Sequence, residues 1–327
     1  MAAFLGVDGG GTTTAFVLID EDGRTIADAT GPTLYSFPAD EALIRRVLRD
    51  GLAATGVDPA AIDHAFIALP GYGESARDLP VLDRVPGEVL GHDRYTVGND
   101  VIAGWAGSLD GADGINLVAG TGSIAYGRWG GRSARAGGWS ELFGDEGSGY
   151  WVAIRGLQAF ARMSDGRQVR GPLHDRIREA VGAPTDLDVI GTVVGDWAGD
   201  RTRIAALSRI VVGAAEAGDV AAEAIVAEAG RELAALVHAV REALEVPQDV
   251  AVPTSYSGGM FAAPPVLAAF SASLGGGFRL DAPVHGPALG AALHALRLHA
   301  GLTAAGRRPN TPEIGAEFPV AKRRTLR

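Results

Sequence analysis

The chain opens by alternating short apolar runs with turn residues. Residues 4–8 are apolar up to a terminal aspartate, Gly9, Gly10, Gly11 and Thr12 to Thr14 follow, residues 15–19 are apolar again, and a polar turn covers 20–23. Runs of this length between turn signals predict strand, tight turn, strand, turn, strand. A dinucleotide fingerprint or a Walker-type loop would carry a helix directly behind its glycines. The β-branched and aromatic run found there puts these glycines in a hairpin instead. The pattern returns at 115–118, at Gly120 to Ser123 and at 124–126, with a turn at Gly130 and Gly131; Gly9 and Gly120 stand 111 residues apart. Glycine is also ordinary hairpin chemistry, but the recurrence predicts two domains of related topology with their turns facing across a cleft.

Between the hairpins, Leu43, Val47 and Leu48 recur at helical spacing within 41–55, while 65–69 and 95–97 read as strands, which makes the first domain α/β. Past Gly147 the pattern turns helical. It predicts helices over 150–163 and 173–181 and a long one from Val220, capped by Asp219, with Val226, Leu233, Val237, Val240 and Leu244 on one face. A strand at 250–252 leads to Ser257, Gly258 and Gly259, and 287–298 reads as a helix of small residues. The expected organisation is one α/β domain over 1–113, a second over 114–300 carrying a helical insertion, and an extended basic tail over 301–327.

Composition narrows the chemistry. At 327 residues, with 47% hydrophobic and 21% charged side chains, the chain has the make-up of a folded globular protein of about two domains. A net charge of −10 argues against nucleic acid or an anionic membrane as partner. The absence of cysteine excludes disulfides, thiolate metal sites and cysteine nucleophiles. The one lysine, Lys322, is close to the C-terminus, so no Walker lysine is on offer, and phosphate chemistry must use backbone amides, hydroxyls, arginine or a metal ion. Residues 1–7 lack the basic start of a secretory leader, which makes the cytoplasm the default location. The uncharged stretch 250–278 is broken by Pro253, Pro264 and Pro265 and reads as strand, loop and short helix rather than a membrane span. His294 and His299 are out of phase for one metal on a helix.

Three places carry candidate chemistry. Asp8, at the end of the first strand and just before the glycine turn, suits Mg²⁺ opposite phosphates cradled by the turn's N–H groups, with Thr12 and Thr13 adding hydroxyls; aspartate before glycine is equally ordinary turn chemistry. Asp100 begins a helix, where it either caps the orphan amides or accepts the proton of a substrate hydroxyl, and Asn99 is available as the cap. The glycine-rich run 137–151 holds Trp139, Trp151, Asp145 and Glu146, which suits a polyol whose vicinal hydroxyls meet carboxylates and whose ring meets an aromatic face; capping of the next helix is the plainer role.

Val7 to Thr12, Asn99-Asp100 with Ala103-Gly104, Ala119 to Ser123, Gly138-Trp139 with Gly144 to Ser148, Ser257 to Gly259 and Gly286 to Ala291 occur in that order. This set resembles the N-acetylglucosamine kinase and BadF/BadG-type ATPase family of the actin, Hsp70 and hexokinase superfamily, over roughly residues 4–300. The resemblance implies two ribonuclease-H-like, actin-like ATPase domains, a helical insertion in the second, and a helix near Gly290 that crosses to the first domain. It implies ATP bound by Gly10, Gly11, Thr12 and Thr13, by Gly120, Thr121 and Gly122, and by Gly258 and Gly259. Mg²⁺ would be attended by Asp8. A sugar would be held by Asp100, Ser123, Gly138, Trp139 and Asp145, with Asp100 the base for its C6 hydroxyl.

The implied activity is ATP-dependent phosphorylation of an amino sugar, best matched by N-acetylglucosamine. Glucosamine or a related hexose is the alternative, because residues 31–37 lack the family's asparagine and Ile124 replaces another. ATP hydrolysis without sugar phosphorylation is a further alternative, but its iron–sulfur-coupled form needs the cysteines this chain lacks. A small-molecule sugar is the expected partner, and a homodimer is compatible with the sequence.

Overall fold

The computed structural model describes residues 2–304, which divide into two compact units. Residues 2–116, 126–134 and 282–304 form the first, and 117–125 and 135–281 the second. The tail expected over 301–327 lies outside the described residues from 305 onward; residues 301–304 end the last helix.

The first sheet is built from β1 (Ala3–Gly9), β2 (Thr13–Asp20), β3 (Thr25–Pro32), β4 (His64–Leu69) and β5 (Tyr95–Asn99), in the order β3-β2-β1-β4-β5. The glycine turn makes β1 and β2 an antiparallel hairpin, β2 and β3 make another, and β4 and β5 continue the sheet parallel to β1. All six residues of β4 are buried, as expected of a strand covered on both faces. Helix α1 (Glu41–Thr55) starts at Asp40, whose side chain accepts from the amides of Ala42 and Leu43, and ends at Gly56 in the left-handed region. It buries Ile44, Val47, Leu48 and Leu52. Helix α2 (Leu79–Leu90) carries Pro86 inside it, which hid it from the sequence pattern, and α3 (Asp100–Ser108) follows β5 directly.

The second sheet comprises β6 (Gly114–Ala119), β7 (Ser123–Trp129), β8 (Arg132–Gly137), β9 (Val252–Ser257) and β10 (Phe278–Leu280), ordered β10-β9-β6-β7-β8. Numbered from its own first strand, each sheet has the order 3-2-1-4-5, so the recurrence of the glycine hairpin reflects a recurrence of topology. The strand expected at 250–252 runs instead over Val252–Ser257, because 247–250 form a turn, and the three-residue β10 is too short to leave a pattern. Between β8 and β9 come α4 (Gly149–Ser164), α5 (Pro172–Val181), the short α6 (Asp188–Ile190) with a π-turn over Gly191–Asp196, α7 (Arg201–Ala206), α8 (Ser208–Glu216) and α9 (Val220–Ala243). Asp219 caps α9 by accepting from Ala222 N, and Val226, Leu233, Val237 and Val240 are buried along it, matching the predicted face. Helix α10 (Pro264–Leu274) precedes β10.

The last helix, α11 (Pro287–Ala304), packs in the first unit against β1 and α3. A Cβ built on Gly6 of β1 would lie 2.2 Å from the amide nitrogen of Ala292, and one on Gly290 would lie 2.2 Å from that of Gly107 in α3. Helix and strand therefore meet backbone to backbone, and α3 is packed from Ala103 to Gly107, in the turns that follow Asp100. The measurable consequence concerns Gly290→Ala, whose methyl group meets backbone that cannot rotate away. It is expected to lower stability by about 2–3 kcal/mol, read as a lower midpoint in urea unfolding. Gly11→Ala, with nothing within 4 Å of the added carbon, is the control and should stay within about 0.5 kcal/mol of the parent.

Candidate functional site

In the first unit the candidates gather at the carboxyl ends of the three parallel strands, where open α/β sheets place their ligands. The register pairs Asp8 with Ala68 and Ala68 with Gly98, so Asp8 at the end of β1 and Asp100 just past β5 share one edge of the sheet. The turn between β1 and β2 is closed by Gly10 N donating to Thr13 O at 2.8 Å and by Thr33 Oγ1 donating to Gly10 O at 2.8 Å. Gly11, Thr12 and Thr13 are exposed at its tip, with amides and hydroxyls available to a ligand.

The helix cap is Asn99, whose Oδ1 accepts from Val101 N at 3.2 Å while its Nδ2 donates to Tyr72 O at 2.9 Å. Asp100 thus occupies the first helical position rather than the cap. Desolvation pushes its carboxyl up to about 7; the nearby carboxylates of Asp8 and Glu74 push the same way, against weaker support from the amides of Val101 and of Asp100 itself. Desolvation also raises Asp8, to about 6. The charges acting on Asp100 are carboxylates and not a guanidinium, an arrangement that suits a ligand bringing positive charge.

In the second unit, β6 runs into the turn Gly120–Thr121–Gly122, closed by Gly120 N donating to Gly122 O at 2.9 Å. The N-terminus of α4 is pinned to this turn by Gly149 N and Tyr150 N, which donate to the carbonyls of Gly120 and Thr121 at 2.8 and 3.2 Å. Gly258, at φ +98°, lies against the same strand end; a Cβ there would be 2.5 Å from Ala119 O. Gly259, beside it, is exposed. The turn, the helix start and the Gly258-Gly259 bend therefore form one continuous backbone surface.

Ser123 is buried, and its Oγ donates to Glu146 O at 2.7 Å, stapling β7 to the loop that carries Asp145. Gly138, at φ +70°, donates its amide to Ser123 O, and its bare Cα faces the Ile124 side chain. Trp139 is 53% exposed, with the Arg135 guanidinium 6.0 Å from its ring centroid, so its indole presents a free apolar face. Asp145 is buried in the left-handed region at φ +56° and does not cap α4, because Ser148 does so through Trp151 N. Its Oδ2 meets Arg201 Nη2 at 2.5 Å.

Burial raises the Asp145 carboxyl, while Arg201 and a hydrogen bond from the Ser123 backbone oppose that rise. Arg201 was not signalled by the sequence, since it lies 56 residues from Asp145 in the helical insertion. Among the described residues no group of three or more histidine, aspartate or glutamate side chains forms a metal cluster, and no helix is long and apolar enough to cross a membrane.

Two α/β sheets of one shared strand order, each with a Gly-Thr turn behind its first strand, define the actin-like ATPase class. The chain belongs to the BadF/BadG/BcrA/BcrD ATPase family, whose model matches residues 5–295. It is 30% identical over 264 residues to the N-acetylmuramic acid/N-acetylglucosamine kinase of Clostridium acetobutylicum, covering 79% of this chain and 85% of that one. It is 27% identical over 269 residues to the N-acetyl-D-glucosamine kinase of Dictyostelium discoideum, covering 78% and 84%. A solved structure of a provisionally assigned N-acetylglucosamine kinase from Chromobacterium violaceum superposes with a TM-score of 0.69 at 27% identity, covering 90% of this chain and 99% of that one.

The uncompensated carboxylates have a cost in the ligand-free protein. Asp100 is held above its unfolded range of about 4, so its contribution to stability is full below that range and is lost as pH rises through about 7. Asp100→Asn removes the charge. It should raise the thermal midpoint of the ligand-free protein by about 1–3 °C at pH 8, with the gain vanishing toward pH 4; a gain that is equal at both pH values contradicts the desolvation argument.

Proposed function

We propose that this chain is an ATP-dependent kinase that phosphorylates the C6 hydroxyl of an amino sugar, with N-acetylglucosamine as the best-supported acceptor. The observation that carries this reading is Asp100, a desolvated carboxyl at the start of α3 raised to about 7, the range in which a general base serves proton transfer at neutral pH. The names of the relatives support the same class of substrate.

In this reading Asp100 accepts the proton of the C6 hydroxyl as that oxygen attacks the γ-phosphorus of ATP, and ADP leaves. Gly10, Gly11, Thr12 and Thr13 bind phosphate through amides and hydroxyls, and so do Gly120, Thr121 and Gly122, which supplies by backbone what a Walker lysine supplies elsewhere. Gly258 and Gly259 lie against the adenosine. Ser123, Gly138, Trp139 and Asp145 hold the sugar: Asp145 accepts from ring hydroxyls, the indole of Trp139 covers an apolar sugar face, and Ser123 keeps the loop in place. Positioning the hydroxyl this way, with water excluded, accounts for much of the expected rate.

Asp8 suits Mg²⁺, because a desolvated carboxyl with a second carboxylate nearby and no guanidinium acting on it is the donor type that this ion takes together with phosphate oxygens and water. When bound, the ion offsets charge on the phosphates. The remaining assignments are a domain division near 113/114 and a cytoplasmic location, and a homodimer is compatible with them. Glucosamine is the second acceptor to consider, because Ile124 packs an apolar side chain over Gly138 within the proposed sugar pocket.

The deciding experiment is a coupled assay of ADP release with ATP, Mg²⁺ and a panel of N-acetylglucosamine, glucosamine, N-acetylmuramic acid and glucose. Sugar-dependent turnover with a 6-phosphate product is expected, with N-acetylglucosamine giving the highest kcat/KM. ATP hydrolysis that no sugar accelerates overturns the kinase reading. Asp100→Asn should lower kcat by about 10²–10⁴ while ATP affinity, measured by calorimetry, stays within about threefold.

A further inference from the structure

Arg201 stands at the first position of α7, behind Asp200, whose side chain caps that short helix by accepting from Arg203 N. Besides meeting Asp145 Oδ2, it places Nε 3.3 Å from Glu141 Oε2, an ion pair whose geometry leaves that buried nitrogen without a hydrogen bond. Its guanidinium also fills the space next to the second Gly-Thr turn: a Cβ on Gly122 would lie 2.8 Å from Arg201 Nη2 and 2.7 Å from Asp145 Oδ2. Gly122 is therefore glycine for a packing reason as well, since a side chain there would displace the ion pair.

We propose that Arg201 is the positioning residue for the sugar-binding carboxylate of Asp145, so that the helical insertion sets sugar affinity. The inference rests on the kinase reading above and extends it to a residue outside the resemblance. A carboxylate that accepts from two sugar hydroxyls must be charged and must keep its plane. Asp145 is buried, and Glu141 and Glu146 add like charge, all of which favour the protonated form. Against them stand the Arg201 guanidinium and the Ser123 backbone N–H. A protonated Asp145 would turn one acceptor oxygen into a donor and lose half of its grip on a diol. Arg201 also fixes the plane of the carboxylate by holding its Oδ2.

The test compares the parent with Arg201→Gln and Arg201→Lys in steady-state kinetics on N-acetylglucosamine, with Mg-ATP, from pH 5.5 to 8.5. Arg201→Gln should raise KM for the sugar by about 10–100-fold at pH 6. That rise should shrink as pH increases and Asp145 ionises unaided, with kcat at saturating sugar and KM for ATP within about threefold of the parent. Arg201→Lys, which keeps the charge but loses the planar fork, should recover part of the affinity. Glu141→Gln, which keeps the pair and removes a like charge, should move the acid limb of sugar affinity to lower pH.

Sugar KM values in Arg201→Gln that match the parent at every pH overturn the inference. So does a fall in kcat with a raised KM for ATP, which would assign Arg201 to the phosphates. Should Arg201→Gln fail to fold, shown by loss of its thermal transition, Arg201→Lys and Glu141→Gln carry the test. A parent that phosphorylates none of the panel sugars fails the kinase reading itself and the inference with it; sugar turnover in the parent with an unmoved KM in the variants fails the inference alone.

Discussion

The architecture depends on backbone meeting backbone without intervening side chains. In the first unit, Gly6 lets α11 lie on the central strand of the sheet, and Gly107 and Gly290 let it touch α3. In the second, the Gly258 bend presses on Ala119 while the first amides of α4 bond the carbonyls of Gly120 and Thr121. Close approach of this kind is available only where no Cβ stands in the way, and it holds loops more rigidly than long side chains would. It also exposes amide dipoles, which a chain with its one lysine at position 322 needs for handling anions.

The same economy governs the charges. Asp8, Asp100 and Asp145 are all carboxyls that desolvation pushes upward, yet their surroundings differ. Asp145 has a guanidinium in contact. Asp100 has only like-charged neighbours and two backbone amides. Such a divergence fits the two roles proposed for them, with the paired carboxylate as an acceptor and the unpaired one as the base.

Much of this was legible in the sequence because it is local. The Gly-Thr hairpins, Asn99-Asp100 and the long apolar face of α9 are patterns within a few turns of chain. In α3 the cap falls to Asn99 because its side chain reaches Val101 N, which resolves what the dipeptide alone left open. What escaped is non-local or broken. Helix α2 carries Pro86 in its interior, a residue that ordinarily argues against a helix. The segment 188–216 is cut into α6, a π-turn, α7 and α8, so no single period runs long enough to read. Arg201 lies within that broken stretch, and nothing near it in sequence marks it out from the other arginines; only the folded chain brings it to Asp145.

That origin bears on how the site is tuned. Asp145 and Glu141 come from the loop after β8, whereas Arg201 comes from α7, which packs against α4 and α8. Arg201 also touches the second Gly-Thr turn, since a Cβ on Gly122 would lie 2.8 Å from its Nη2, so a change in this charge is coupled to that turn rather than additive with it. In the proposed reading the transfer step rests on strand ends and glycine turns, and sugar affinity draws in addition on an ion pair across 56 residues.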